Sequence, residues 1–266
     1  MSKALKVVLV IFAVMLVVGI GLMTAGILTG GATSMYIDFK KHVISDKPNN
    51  MIKDEIELDD LDSIDLEVAY CDVNIITGDS YKVEYAVYDN SKVDSDYDEA
   101  AKTYKFKQKQ DDDRLLTVFG NPEENQTPHI TITVPEGAKL SDISVKCAYG
   151  DIEINGIESK TVTYDLAHGD VSMSNVINDD ITIDDAYGDI KGTEMIVKNV
   201  NIETARGDVE LGIKGNETDY NIDLEAALGD IKCNSTEARG NYKTESSSEN
   251  KIKVDVSAGD IDIEIK

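Results

Sequence analysis

Residues 186–190 read AYGDI, and the same pentapeptide stands at 148–152. Near copies read AHGDV at 167–171, ARGDV at 205–209 and ALGDI at 227–231, and a relaxed copy, SAGDI, stands at 257–261. A motif that returns at a nearly fixed interval is typical of a repeat architecture. The Gly-Asp pairs of the six copies are Gly150 and Asp151, Gly169 and Asp170, Gly188 and Asp189, Gly207 and Asp208, Gly229 and Asp230, and Gly259 and Asp260.

The interval between successive copies is regular in the middle of the chain. It is 19 residues at each step from Asp151 to Asp208, then 22 residues to Asp230 and 30 residues to Asp260. An earlier copy, AYCDV, carries Cys71 where the others have glycine. The constant interval predicts stacked rungs of 19 residues, and the longer ones predict insertions toward the C-terminal end.

Apolar residues keep one register in every copy, and polar residues separate them. This period of two indicates strands with one buried face and one solvent-exposed face. Because a single rung cannot bury its apolar face alone, the sequence predicts an all-β, single-chain β-solenoid with rungs about 4.8 Å apart. One apolar column holds Ile143, Val162, Ile181, Val200, Ile222 and Ile252, and another holds Ile152, Val171, Ile190, Val209, Ile231 and Ile261.

The Gly-Asp pairs are expected to form the corners of the rungs. Glycine adopts the positive φ that a sharp bend often needs, and the aspartate is expected to accept backbone N–H groups at its own bend. An alternative is a Ca²⁺ edge, since stacked carboxylates would lie about 5 Å apart and Ca²⁺ prefers clustered oxygen ligands. The chain lacks the G-G-x-G-x-D nonapeptide of calcium-binding β-rolls, so we expect a structural turn and no metal or other cofactor. The alternative edge consists of Asp151, Asp170, Asp189 and Asp208.

The N-terminus carries a membrane-anchor pattern. Residues 7–28 are apolar, Gly or Thr throughout, and an α-helix needs about 20 such residues to cross a bilayer. The apolar stretch is longer than that of a cleaved signal peptide, which is the alternative. Lys3 and Lys6 precede the stretch and predict a cytoplasmic N-terminus by the positive-inside rule. The sequence thus predicts a single-pass protein of the cell membrane with its C-terminal domain outside the cell.

Four segments follow from these patterns. Residues 1–32 form the cytoplasmic tip and transmembrane anchor, and residues 33–50 form a juxtamembrane stalk. Residues 51–135 form an N-terminal β segment with a first rung and a meander, and residues 136–266 form the regular β-solenoid. The polar stretch 234–250 is expected to be a surface loop, and the last rung is expected to end at Lys266 with almost nothing beyond it.

Charge and composition exclude several function classes. Asp plus Glu number 51 against 26 Lys plus Arg, a formal net charge of -25, so the chain lacks the cationic surface that binds nucleic acid. The three histidines, His42, His129 and His168, show no triad or metal spacing. No pair of carboxylates stands out as a glycosidase pair, and the sequence therefore predicts a protein that is not an enzyme.

The three cysteines are too few for a disulfide scaffold. Cys147 and Cys233 fall in inward-facing columns and are expected in the core. Cys71 falls at a corner and is expected to be more exposed. A Cys71–Cys147 bridge requires that the first rung stacks directly on the second.

The residue before each Gly-Asp pair varies. It is Tyr149, His168, Tyr187, Arg206 and Leu228 in successive copies. Arg206 creates the tripeptide RGD by chance, because the repeat itself demands the Gly and Asp. Stacking predicts an exposed strip of Tyr149, His168, Tyr187 and Arg206 beside the acidic edge, either as simple edge packing or as a contact surface.

Together, these features resemble a known family. The chain has a long N-terminal span, the strand phrase ITITVPEGAKL at 130–140 and repeated strand–Gly-Asp–strand units. It is similar to the bacterial putative-adhesin family of unknown function, which includes the LiaG-like proteins of Gram-positive envelopes. The resemblance covers residues 50–266 and implies a β-solenoid outside the cytoplasmic membrane, with no catalytic residues to assign.

We therefore expect a non-catalytic, membrane-anchored, extracytoplasmic β-solenoid that binds or senses the cell envelope. The N-terminal helix is its contact with the membrane, and a cell-envelope polymer or a surface protein is the expected partner. The alternatives are a polysaccharide-active enzyme on the same scaffold and a purely structural envelope spacer.

Overall fold

The computed structural model describes residues 35–38, 43–45, 51–89, 91–110, 115–119 and 127–266. The predicted anchor at 7–28, the lysines before it and His42 lie outside the described residues. Within the described ranges, no helix has the length and apolar character needed to span a membrane.

The described residues are almost entirely strands and turns, with one short 3-10 helix at Glu217–Asp219. The strands are β1 (Met35–Asp38), β2 (Val43–Ser45), β3 (Met51–Leu58), β4 (Ser63–Val68), β5 (Asp72–Gly78), β6 (Tyr81–Tyr88), β7 (Ser91–Asp98), β8 (Thr103–Gln110), β9 (Leu115–Phe119), β10 (His129–Pro135), β11 (Lys139–Cys147), β12 (Ile152–Asn155), β13 (Glu158–Leu166), β14 (Val171–Ser174), β15 (Ile177–Tyr187), β16 (Ile190–Arg206), β17 (Val209–Ile213), β18 (Asn221–Cys233), β19 (Thr236–Thr244), β20 (Lys251–Ala258) and β21 (Ile261–Ile265).

Two sheets account for all of these strands. The smaller one has three antiparallel strands in the order β2-β1-β9, with Ile37 of β1 paired to Ile44 and Leu116. The larger one has 18 strands and contains every Gly-Asp copy.

Each regular rung of the large sheet contributes two strands that flank its Gly-Asp corner. The strand before the corner pairs in parallel with its counterparts, as β11 does with β4 and β13. The strand after the corner does the same, as β12 does with β5 and β14. Ile152 pairs with Val171 and Val171 with Ile190, so partners are 19 residues apart in the regular part. The fold is the predicted all-β solenoid.

Alternation along the strands separates core from surface. The predicted apolar columns are at most 2% exposed and belong to one continuous hydrophobic cluster. Polar neighbours such as Ser172 and Lys191 point to solvent. The period of two in the sequence therefore predicted the inward and outward residues correctly.

The spatial order of the rungs departs from their order in the chain. β20 pairs in parallel with β16 on one side and with β18 on the other, and β21 pairs likewise with β17 and β18. The last rung of the sequence, residues 251–265, is thus inserted between residues 199–213 and 221–233. The final rung does end next to Lys266 in the chain, as expected, but it does not lie at the end of the stack.

The reason for the insertion lies in residues 234–250, which were expected to be a surface loop. Residues Thr236–Thr244 instead form β19, which pairs antiparallel with β18 and covers its outer edge. With that edge occupied, the remaining chain pairs on the inner side of β18. Most β19 side chains are exposed and polar, which suits a strand that ends a stack of rungs.

At the opposite end, strands of mixed direction extend the stack. β8 pairs in parallel with β4 and antiparallel with β7. β10 pairs in parallel with β5 and antiparallel with β6, and β6 pairs antiparallel with β3. In the first rung, Ile64 pairs with Ile143 and Val73 pairs with Ile152.

Candidate functional site

The Gly-Asp corners stack so closely that only glycine fits. A Cβ atom added at Gly169 would overlap the carbonyl oxygen of Gly150, and one added at Gly188 would overlap that of Gly169. Gly169 also has a φ of 147°, in the region that favours glycine, whereas Gly188 does not lie there. Close approach of the rungs is therefore the more general reason for glycine, and positive φ alone was an incomplete prediction.

Cys71 occupies the glycine position of the first rung. Its side chain is only 2% exposed, so the expectation of an exposed corner thiol was wrong. No further Gly-Asp corner precedes it, since the backbone N–H of Asp72 donates to the carbonyl of Pro128. The end of the corner stack thus has room for a side chain that the later rungs lack.

The three thiols are buried and free within the described residues. Burial raises the pKa of Cys147 to about 12 and that of Cys233 to about 11. Burial likewise raises the pKa of Cys71. Because the thiolate is the reactive form, these side chains behave as small core residues.

The corner aspartates form a continuous hydrogen-bonded ladder. Oδ1 of each aspartate accepts the backbone N–H of the aspartate in the next rung, not of its own bend as expected. The N···O distances are 3.1 Å from Asp151 to Asp72, 2.9 Å from Asp170 to Asp151, 2.8 Å from Asp189 to Asp170, 2.9 Å from Asp208 to Asp189, 2.8 Å from Asp260 to Asp208 and 2.8 Å from Asp230 to Asp260.

This ladder gives the stacked carboxylates a structural role. Each charge-assisted bond joins two rungs and offsets part of the repulsion between neighbouring carboxylates. At the outer end, Nε of Arg239 in β19 donates to Oδ1 of Asp230 over 2.8 Å. Among the described residues, no group of three or more His, Cys, Asp or Glu side chains is placed to hold a metal ion.

Beside the ladder runs a second, aromatic row. The ring centroids of Tyr149 and His168 are 4.9 Å apart with an interplanar angle of 13°, and those of His168 and Tyr187 are 4.8 Å apart at 18°. Arg206 follows Tyr187 in the neighbouring rung. The predicted strip of Tyr149, His168, Tyr187 and Arg206 therefore exists, and it is exposed.

Tyr70 extends the row, and the sequence prediction missed it. Tyr70 takes the same place in the first rung, where Cys71 N–H donates to the carbonyl of Tyr149, and it stacks on Tyr88 at 6.4 Å. The signal was available in the AYCDV copy, because Tyr70 precedes its Cys-Asp pair. We call the row Tyr70, Tyr149, His168, Tyr187 and Arg206 the ridge.

The ridge does not include Leu228, although this residue is 74% exposed. The inserted last rung places Ala258 beside Leu228 and so separates Leu228 from Arg206. Arg206 and Asp208 belong to different features of the surface, since Asp208 accepts the N–H of Asp260 in the ladder. The RGD tripeptide is thus part of the repeat, as predicted.

Acidic residues lie on both sides of the ridge. The corner aspartates follow it by two residues in each rung, and Asp165, Asp184 and Glu203 precede it by three. We call these three the strand acids, and they pair side by side in neighbouring rungs. Glu203 forms an ion pair with Lys253 at 3.2 Å, whereas no Lys or Arg of the described residues pairs with Asp165 or Asp184.

One carboxyl group lies inside the solenoid. Asp185 is 1% exposed, its Oδ1 accepts the N–H of Tyr187 at 3.2 Å, and its Oδ2 has no hydrogen-bond partner within the described residues. Burial, together with the negative charges of Asp170 and Asp184, raises the pKa of Asp185 to about 6, although the hydrogen bond from the N–H of Tyr187 lowers it. The sequence offered a signal here, because Asp185 stands in the column of Leu166.

The remaining histidines do not join this site. His129 begins β10, and its Nδ1 lies 2.9 Å from the carbonyl oxygen of Thr127. It pairs with Asp72 and Ala86 on neighbouring strands, and not with His168. Within the described residues, the structure thus brings together the aspartate ladder, the ridge and the strand acids, but no catalytic constellation.

Comparisons with known proteins agree with this architecture. The family model described as Toastrack DUF4097 matches residues 61–212 and, in a second match, residues 179–264. No curated relative matches the chain.

Several solved structures are similar to this chain. A "putative cell adhesion protein" from Clostridium sporogenes is 17% identical, with 82% of this chain and 100% of that chain covered at a TM-score of 0.42. A "putative adhesin" from Bacteroides fragilis is 12% identical, with 81% and 98% covered at 0.42. A "putative lipid binding protein" from Parabacteroides distasonis is 13% identical, with 82% and 97% covered at 0.30.

The two matches of the family model together run from residue 61 to residue 264 and overlap in the middle of the regular rungs. They include all of the Gly-Asp copies, the ridge and the inserted last rung. Because the matched part is well over half of the chain, the protein belongs to the Toastrack DUF4097 family.

Proposed function

We propose that the protein is a non-catalytic binding module held at the outer face of the cell membrane. The observation that carries the proposal is the ridge, a row of exposed aromatic side chains that serves no purpose in the core. Tyr149 is 52% exposed and Tyr187 is 49% exposed, and exposed aromatic residues in a contiguous row are typical of contact surfaces. The partner is a cell-envelope polymer or a surface protein.

Membrane anchoring and the outside location belong to this proposal. They rest on the apolar stretch 7–28 and on Lys3 and Lys6 before it. Likeness to the LiaG-like envelope proteins, which rests on the VPEG phrase at 134–137 and the Gly-Asp repeats, points the same way. The names of the solved relatives are compatible with a surface role for those proteins.

The absence of catalysis is also part of the proposal. The corner carboxylates are engaged in the ladder, and Asp185 is too buried to reach a substrate. A glycan-cleaving site needs two accessible carboxyl groups about 5–10 Å apart across a bound sugar chain. The enzyme alternative requires such a pair of carboxyl groups.

Two experiments test these points. Protease added to intact cells or protoplasts should degrade the solenoid, and survival of the solenoid until lysis would contradict the outside location. Full-length protein in nanodiscs should retain purified envelope polymers or surface proteins without releasing reducing ends from the glycans. Release of reducing ends would favour the enzyme, and the absence of any retained partner would favour the structural spacer.

A further inference from the structure

We infer that the ridge is the docking surface for an extended, Lys- and Arg-rich polypeptide segment. The inference deepens the proposed function, because it assigns a partner chemistry to the binding module. It rests on the shape of the ridge and on the charges that flank it.

The exposed crest of the ridge consists of ring edges and polar groups. Since the rings of Tyr149, His168 and Tyr187 stack on one another at 4.8–4.9 Å, their faces are covered within the row. A partner therefore touches ring edges, tyrosine hydroxyl groups and the imidazole. The aliphatic stems of Lys and Arg suit such a crest, because they pack on apolar surface while their charged ends reach outward.

The flanking acids supply the positions for those charged ends. The corner aspartates use Oδ1 in the ladder, which leaves Oδ2 at the surface. Asp151, Asp170, Asp189 and Asp208 form no ion pair with Lys or Arg of the described residues, and the same holds for Asp165 and Asp184. Six carboxylates thus line the ridge without an ion pair, although Lys146 stands opposite Asp165 on the neighbouring strand and Arg206 lies at one end of the ridge.

Elsewhere on the same solenoid, several acids are compensated across rungs. Glu210 pairs with Lys191 at 2.9 Å, Asp262 with Lys232 at 2.6 Å and Asp223 with Lys243 at 3.0 Å. The carboxylates that flank the ridge are among the acids of the described residues that form no such pair. A cationic partner is the complement of such a surface, and an anionic polymer is repelled by it.

The length of the ridge sets the size of the partner. From Tyr70 to Arg206 the ridge spans four rung intervals, about 19 Å at about 4.8 Å per interval. An extended polypeptide advances about 3.3 Å per residue, so about six residues cover the ridge. Arg206 ends the ridge with a positive charge and thereby limits the segment at that side.

The test uses full-length protein in nanodiscs and a fluorescent decalysine peptide, with binding measured by fluorescence anisotropy at low salt. Asp165→Asn with Asp184→Asn removes two flanking charges outside the ladder and should weaken binding about tenfold. Tyr149→Ser with Tyr187→Ser leaves the charge unchanged and should weaken binding about fivefold through the lost packing. Added salt should weaken wild-type binding.

A matched control separates the ridge from net charge. Glu136→Gln with Glu249→Gln removes two exposed acids away from the ridge and should change the affinity less than about twofold. An unchanged melting temperature shows that each variant is folded. If the double tyrosine variant is not folded, the single Tyr187→Ser variant replaces it in the binding measurement.

Three outcomes would overturn the inference. An equal loss of affinity in the control and in the Asp165 and Asp184 variant means that only net charge attracts the peptide. Unchanged affinity in the tyrosine variants means that the ridge is not touched. Binding of a neutral β-1,4-linked N-acetylglucosamine hexamer in place of decalysine refutes the cationic partner but leaves the proposed binding function intact.

Discussion

The backbone N–H of Asp260 donates a hydrogen bond to Oδ1 of Asp208 over 2.8 Å, although 52 residues separate the two in sequence. Asp230, which lies between them in the chain, comes next in the ladder and donates its N–H to Asp260. The ladder is therefore continuous in space even where the chain order is broken. Identical corner chemistry lets a rung join the stack wherever an edge is free.

The inserted last rung predicts an unusual pattern of destabilisation. Ile263 is fully buried and pairs with Leu211 on one side and Cys233 on the other. Ile263→Asp should cost several kcal/mol, because it buries an unpaired carboxylate. Hydrogen exchange should show loss of protection in both β17 and β18.

The control for that experiment is Glu264→Ser in the same strand, which removes only a surface ion pair with Lys266 and should cost little. If the rungs instead stacked in chain order, β17 would pair with β18 and keep its protection in the Ile263→Asp variant. That result would contradict the insertion.

The close approach of the corners makes a second prediction. Gly188→Ala places a Cβ against the carbonyl of Gly169 and should cost about 1–3 kcal/mol of unfolding free energy, because two rungs must move apart. Gly212→Ala is the matched control, since the nearest atom to its added Cβ is 3.6 Å away. Thermal or urea unfolding of the two variants decides the matter, and equal stabilities would refute the steric explanation.

The sequence predicts the buried positions of this fold but not the spatial order of its rungs. The period of two and the 19-residue interval predict which residues are buried, because both depend only on local alternation and on register. The order of the rungs could not be predicted, because Ile222 and Ile252 fill the same column and either fits beside Val200. Only the pairing of β19 with β18 decides between them.

The candidate site could likewise be predicted only in part. The strip from Tyr149 to Arg206 was predictable, because residues in equivalent positions of neighbouring rungs must stack. The acceptor role of Asp189 toward the next rung was not, because a turn prediction considers only the bend in which the residue lies. Asp185 was visible in the sequence as a polar residue in an apolar column, but its burial required the structure.

The ladder predicts a difference between two substitutions at one residue. Asp189→Asn keeps an oxygen that accepts the N–H of Asp208 and relieves repulsion between carboxylates, so it should be neutral or slightly stabilising. Asp189→Ala removes the acceptor and should cost about 1 kcal/mol. Thermal unfolding measures both.

The structural role of the ladder predicts that Ca²⁺ does not stabilise the protein. Because the ladder already uses the corner carboxylates, millimolar Ca²⁺ should leave the Tm of the wild-type protein and of Asp189→Asn unchanged. A rise in Tm that disappears when Asp170, Asp189 and Asp208 are all changed to Asn would make the corner edge a metal site, by linkage between binding and folding.

Asp185 predicts a rise in stability as the pH falls below neutral. The folded-state pKa of about 6 lies above the ordinary value of 3.8, so the folded protein binds a proton that the unfolded chain still lacks. Stability should therefore increase as the pH falls from about 7 to about 4, by roughly 2 kcal/mol from this residue. Below that range both states are protonated and the contribution is constant.

Two variants isolate the contribution of Asp185. Asp185→Leu places in the column the side chain that Leu166 already has in the preceding rung, and it should be more stable than the wild type at pH 7. Asp184→Asn, the exposed neighbour, should keep the pH-dependent rise. Burial also raises the pKa of Asp72 and Asp142, so the difference between wild type and Asp185→Leu is the relevant quantity. Urea unfolding at pH 5 and pH 7 measures it, and an equal rise in both proteins would show that Asp185 is not the group that titrates.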